Sequence, residues 1–315
     1  MLLEGYFVMK SIVTGSSGFI GGWLTLELLN NNYDVTAVVR NLSKIPFEIL
    51  NHPKFRYIIK DINDLKQSDF EDDDYDVFFN LGWEGVSPQD KNSIDKQLSN
   101  IPMSLNAIEV CKAVNCKLFL SSGTVAEYAL TTDVMDLGAK QKPNDIYGAT
   151  KVAVHYYLEV RARQLEQPFI WTVVPSTFGE RRTDNNIITY TIRTLLNGAR
   201  PQYGKLEQMW DFLYVSEVVR ALRLIAEKGT PGRIYGIGSG EYRPLREYIE
   251  MIRDIINPQL ELGIGDVPSM SNQSFSSCVN IYDLIRDTGF KPQVSFREGI
   301  EKTIKWFKDN NYMNI

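Results

Sequence analysis

The chain has 315 residues, 43% of them hydrophobic and 23% charged, and a formal net charge of -5. That length supports a large core and one or two domains, and the acidic balance excludes a general affinity for nucleic acid or an anionic membrane. Two scattered histidines (His52, His155) and three cysteines (Cys111, Cys116, Cys278) lack the spacing of a zinc site, a disulfide framework or a Ser-His-Asp triad. No metal is therefore expected, and the thiols read as reduced side chains of a cytoplasmic protein.

No apolar run has the length of a membrane span. "MLLEGYFVM" reads as a short leader before a strand that begins near Lys10. "KSIVTG" is that strand. "TGSSGFIGG" then opens a helix, "FIGGWLTLELLNNN", which Asn30, Asn31 and Asn32 stop. Glycines at 15, 18 and 21 permit a tight turn, a close backbone approach to a pyrophosphate and close helix–sheet packing. The helix N-terminus offers N–H groups to phosphate. Gly15, Ser17, Gly18, Phe19, Ile20 and Gly21 are thus candidate cofactor-binding residues.

"DVTAVVR", the second strand, ends in Arg40 and Asn41 where an acidic residue would hydrogen-bond the ribose of NAD. A guanidinium there suits the 2′-phosphate of NADP(H), which is favoured, with NAD(H) left open. "FRYIIKD" is the third strand; Asp61 and Ile62 after it flank an adenine, or Asp61 only caps a turn. Glu71 to Asp74 read as a solvated loop. "YDVFFNLG", "KLFLSSG" and "FIWTVVP" are strands four to six, and amphipathic helices precede the last two. Continuous apolar strands crossed by helices imply an α/β, doubly wound parallel sheet. After Pro175 the rhythm breaks and becomes more helical. The dinucleotide-binding domain is expected over 1–178 plus about 210–240, and a smaller substrate-binding lobe over 179–209 and 241–315.

"DIYGATKVAV" places Tyr147 and Lys151 on one helix face. A nearby ammonium lowers a phenol's pKa, and small Gly148 and Ala149 leave room for a ligand. Tyr147 then gives a proton to a carbonyl oxygen, or takes one from an alcohol.

The glycine motif after strand one, "SSGTVAEY" after strand five and the Tyr-x-x-x-Lys pair resemble the short-chain dehydrogenase/reductase superfamily. "WDFLYVSEVVRAL" and "DTGFKP…SFREGIEKTIKWF" are similar to its extended branch, the nucleotide-sugar epimerases, dehydratases and ketoreductases. The resemblance implies a Rossmann fold, a homodimer and a nucleotide-sugar substrate. It implies a third catalytic hydroxyl after strand five, with Thr124 the first choice, Ser122 the second and Ser121 also near. Leu81, Gly82, Asn100, Pro175 and Thr177 fall at cofactor positions. Trp83, Asn186 and Arg181, with Glu84 and Arg182, fall toward the substrate. The branch's usual arginine before "DF" is Trp210. A dehydratase would carry an Asp-Glu pair where Val125 and Ala126 stand, so the resemblance is nearest to NADPH-dependent reductases of nucleotide-linked 4-keto-6-deoxyhexoses. A 4-epimerase with bound NAD is the alternative, and an NADP-sensing protein without chemistry is a further one.

Overall fold

The computed structural model describes residues 8–71, 73–129, 134–268 and 276–312. The leader reading for 1–7, and Asp72 of the acidic loop, lie outside them. The first half alternates as the sequence patterning requires: β1 (Lys10–Thr14), α1 (Phe19–Asn30), β2 (Asp34–Val39), α2 (Phe47–Leu50), β3 (Phe55–Ile59), β4 (Val77–Asn80), α3 (Ile94–Leu98), α4 (Asn100–Ala113), β5 (Leu118–Thr124), α5 (Ile146–Leu165) and β6 (Phe169–Val174). The second half has β7 (Ser176–Phe178), α6 (Ile187–Leu196), β8 (Gln202–Tyr203), β9 (Met209–Trp210), β10 (Phe212–Tyr214), α7 (Val215–Lys228), β11 (Ile234–Gly236), β12 (Arg243–Pro244), α8 (Leu245–Ile256), β13 (Gly263–Ile264), β14 (Ser276–Ser277), α9 (Tyr282–Thr288) and α10 (Phe296–Asp309).

Seven strands form one parallel sheet in the order β11-β6-β5-β4-β1-β2-β3. Adjacent apolar residues point to opposite faces, so each strand feeds two cores. Val13, Phe79 and Leu120 pack with α1 and α7 on one face; Ile12, Phe78 and Phe119 pack with α4 and α5 on the other. The chain reverses direction between β1 and β4, which opens the crevice at the strand ends where ligands bind in such sheets. Thr14 closes its floor: its hydroxyl accepts the N–H groups of Leu81 and Gly82, each at 3.1 Å.

A third core, built on Phe178, Ile192, Phe212, Tyr248, Ile300 and Phe307, draws on both the stretch expected to form the dinucleotide domain and the expected substrate-binding lobe. Ile281, Leu284 and Phe290, which sequence patterning put in that lobe, instead pack into the core of the large sheet, where α9 lies against α7 and β11. "FLYVSEVV" also departs from the simple pattern. Its strand, β10, pairs with β7 in a separate two-stranded sheet that joins the two cores.

Candidate active site

The glycine turn is a cradle that side chains would fill. Gly15 has φ +76°, and a Cβ there would lie 2.9 Å from the Gly82 nitrogen. At Gly21 a Cβ would lie 2.1 Å from the Gly15 carbonyl oxygen, so α1 can approach the turn only without one. Gly18 caps α1 and supplies no side-chain bond to its first turn, which holds no acidic residue. Ser17, Phe19 and Ile20 complete this turn. These features fit a dinucleotide pyrophosphate.

Around the rim, Arg40 pairs with Glu84 across the crevice; both remain substantially exposed. Asp61 accepts the Asn63 N–H at 2.9 Å and so caps a short 3-10 turn. The Ile62 side chain fills the space beside Gly82. Asn100 is fully buried, and its amide holds both the N–H (2.7 Å) and the carbonyl (3.1 Å) of Glu84. Its effect on a cofactor is thus through the shape of that loop. Thr177 bonds to the Pro175 carbonyl at 3.1 Å.

At the end of β5 the side chains converge. Ser121 and Ser122 turn their hydroxyls to the Asn80 carbonyl, each at 3.5 Å. Thr124 instead accepts the Ala126 N–H at 3.3 Å and acts on the Tyr147 phenol, whose ionised form it favours. Lys151, 4% exposed, donates to the Ser122 carbonyl at 2.7 Å, and its ammonium lies 3.7 Å above the centre of the Trp83 ring. Trp83 also stands edge-on to Tyr147, with centroids 6.0 Å apart, and is pinned by its indole bond to Gln97 at 3.1 Å.

Two sequence expectations are corrected here. Gly148 does not make room for a ligand: a Cβ there would lie 2.5 Å from the Ala126 carbonyl oxygen, so its smallness lets α5 sit against the turn after β5, while Ala149 is exposed. Nor is the phenol acidified. Burial pushes Tyr147 up to about 12, helped by Glu127 and Asp145, against the opposing Thr124 hydroxyl and Arg182. Burial also lowers Lys151, whose charge is spent on the Ser122 carbonyl and the Trp83 face.

The substrate-side candidates separate. Arg181 reaches Glu48 at 2.5 Å and lies over Trp23, away from the convergence. Asn186 caps α6, accepting the N–H groups of Ile188 (3.0 Å) and Thr189 (3.2 Å). Arg182 holds Asp184 through two bonds, at 2.8 and 3.1 Å, also bonds the Thr177 carbonyl, and acts on Tyr147. Among the described residues, the buried indole nitrogen of Trp210 has no hydrogen-bond partner.

Sequence reasoning missed Lys91, whose amine lies 5.2 Å from the Tyr147 ring centre and whose carbonyl accepts the Tyr147 N–H. It also missed Glu127, buried beneath Thr124. Lys91 carries no signal in a polar loop. For Glu127 the signal was the glycine in "SSGTVAEY": Gly123 makes room for it, since a Cβ there would lie 2.4 Å from the Glu127 Oε1 atom.

A glycine cradle at a sheet's reversal point, with a Tyr-x-x-x-Lys helix beside it, defines a dinucleotide-binding α/β enzyme. The model of the NAD dependent epimerase/dehydratase family matches residues 11–238, more than half of the chain, and the chain belongs to that family. Among similar proteins are the dTDP-D-glucose 4,6-dehydratase of Homo sapiens (24% identical, covering 99% of this chain and 94% of the relative) and the dTDP-glucose 4,6-dehydratase of Escherichia coli (26%, covering 96% and 94%). The fold is similar to the UDP-N-acetylglucosamine 4-epimerase of Methanobrevibacter ruminantium (24% identical, TM-score 0.86, covering 96% of this chain and 99% of that one). It is also similar to the UDP-glucuronic acid 4-epimerase of Bacillus cereus in complex with NAD (20%, TM-score 0.83, covering 96% and 99%).

Proposed function

We propose that this enzyme reduces a nucleotide-linked 4-keto-6-deoxyhexose at C4 with NADPH. The observation that carries this reading is the placing of Tyr147 and Lys151 around the Trp83 ring, next in the chain to Gly82 of the glycine cradle, with Thr124 acting on the phenol. Bound nicotinamide supplies the hydride. Tyr147 gives its proton to O4, and a phenol held near 12 is fully protonated at neutral pH, the form this direction needs. Thr124, whose hydroxyl faces the phenol, steadies the same oxygen; Ser122, turned to Asn80, is the weaker candidate. Lys151 would hold the ribose hydroxyls of a bound dinucleotide, exchanging its bond to the Ser122 carbonyl for them. Trp83 forms an apolar wall for the sugar, and Arg182 offers the cation nearest the site on the lobe side.

A 4,6-dehydratase needs carboxyl groups that move protons at neighbouring sugar carbons. Val125 and Ala126 occupy the positions after Thr124, and the acid that follows, Glu127, faces inward to the Thr124 N–H and the Trp171 indole. The second reading, a 4-epimerase that keeps NAD, is favoured by one observation: Glu84 already engages Arg40, the group meant for a 2′-phosphate.

We further infer a homodimer through α4 and α5, where Tyr156, Tyr157 and Val160 of α5 are exposed. Among the described residues no helix is long and apolar enough to cross a membrane, and the three cysteines are free and buried, in keeping with a cytoplasmic location. The test is NADPH absorbance with CDP-, dTDP-, GDP- and UDP-linked 4-keto-6-deoxy sugars. Oxidation of NADPH with one of them supports the reductase. Interconversion of C4 epimers without NADPH loss supports the epimerase, and turnover with neither class sinks both.

A further inference from the structure

Glu127 is fully buried, yet it sits directly behind the reacting groups. Its Oε1 accepts the Thr124 N–H at 2.7 Å, and its Oε2 accepts the Trp171 indole N–H at 3.2 Å. Both oxygens face N–H donors, which favour the ionised carboxylate, while burial pushes the Glu127 carboxyl up to about 7 against them and against Lys151. The space is built for this. Gly123 lacks the Cβ that would collide with Glu127 Oε1 and with Trp171 Nε1, at 2.4 and 2.3 Å. The turn is a capping box: Thr124 Oγ1 accepts the Ala126 N–H while Glu127 returns to the Thr124 N–H. A box of this kind normally lies at the surface; here its acid points into the core.

Three groups feel that charge. On α5, burial lowers Lys151 to about 7 and Glu127 opposes that fall, while burial raises Tyr147 and Glu127 adds to that rise. On its own turn, Tyr128 is pushed up by it as well as by burial. Lys151 is the cation that acts on Glu127 in return. Burial alone would drive both members of the pair to their neutral forms; each charge offsets the cost of the other.

We propose that Glu127 is the positioning residue of the site: a buried carboxylate that clamps the Thr124 peptide at the end of β5 and serves as the counter-charge of Lys151, which bonds the same turn at the Ser122 carbonyl. It touches no substrate. It biases the site toward giving a proton, the reductive direction. The link to that direction rests on the reductase reading, whereas the electrostatic role does not.

The experiment titrates Lys151 through its ¹³Cε resonance in lysine-labelled protein, assigned with Lys151→Arg. Glu127→Gln removes the charge and keeps the shape. Its amide presents N–H to the indole N–H of Trp171, so Glu127→Gln/Trp171→Phe is the companion variant that removes this clash. The expected result is a Lys151 midpoint lowered by about one pH unit or more in whichever variant folds. An unchanged midpoint in a folded variant overturns the proposal, because a purely structural role would leave it in place. On the substrate found by the NADPH panel, kcat should fall about tenfold while the KM for cofactor holds, and the alkaline limb of the rate profile should move to lower pH. A lowered midpoint with no sugar reduced would leave the electrostatic role standing and remove the reductase reading.

Discussion

Replacing Tyr147 by phenylalanine removes one oxygen from a half-buried ring and nothing else. The ring keeps its edge-on contact with Trp83, and Lys151 keeps its bond to the Ser122 carbonyl. The fold loses at most one polar interaction, that with Thr124, or about 1 kcal/mol, so the melting temperature should move by no more than about 3 °C. The chemistry loses its general acid, which is about 10²- to 10⁴-fold in kcat, or about 3–5 kcal/mol of barrier. The position of the phenol near 12 adds a direction to this. At pH 7 only about 10⁻⁵ of it is phenolate. Carbonyl reduction should therefore be flat in pH around neutrality, because the acid form is always present. Alcohol oxidation needs the base form and should rise about tenfold per pH unit. The assay is NADPH absorbance in both directions from pH 6 to 9, with cofactor affinity measured separately by fluorescence. A Phe variant that keeps about a third or more of the wild-type kcat, with cofactor bound, would refute the acid role of Tyr147.

Three further outcomes follow from other parts of the structure. His155 stacks on Trp171 at 4.7 Å, and burial pushes it down to about 4. The unfolded chain takes up that proton below about 6.5 and the folded one does not until about 4, so stability is full above about 6.5 and is lost as pH falls toward 4. Urea midpoints should show a loss of about 2 kcal/mol between pH 7 and pH 5 that His155→Phe abolishes; an equal slope in both proteins contradicts this. Arg40→Ala should weaken NADPH binding at least about tenfold with little change for NADH, and Glu84→Gln, by releasing Arg40, should strengthen NADPH binding; equal effects on both cofactors would remove Arg40 as the 2′-phosphate partner. Val160→Glu, on the exposed face of α5, should convert a dimer to the 36.0 kDa monomer by light scattering, and a wild type that is already monomeric would exclude that interface.

Six of the seven strands of the sheet were legible because they are short, apolar and bounded by turn residues, and each of those six lies within a residue or two of where the pattern puts it. Gly15, Gly18 and Gly21 were legible for the same local reason: their roles depend on the turn and helix that contain them. The arrangement of the reacting groups was not. Lys151 and Tyr147 share a helix face, as spacing requires, but what each one faces depends on Trp83, 64 residues before Tyr147 in the chain, and on a glutamate hidden under β5. Desolvation is a property of the packed interior, so the rise of the Tyr147 pKa could not be read from an ammonium four residues away. Asn100, Asn186 and Asp61 illustrate the same limit. Each occupies a position suited to a ligand, and each turns its polar atoms to nearby backbone, because a polar group beside unpaired N–H or carbonyl groups satisfies those first. Arg181 and Arg182 are neighbours in sequence, yet backbone direction sends one to Glu48 and the other to the site.

The most direct measurement follows deuterium. NADPH deuterated at nicotinamide C4 is incubated with the enzyme and each nucleotide-linked 4-keto-6-deoxy sugar, and the product is read by NMR. Deuterium at sugar C4 in wild-type product, and none with Tyr147→Phe, is the result expected of hydride delivery beside that phenol. Deuterium at another carbon, or product formed without loss of label from the cofactor, would contradict it.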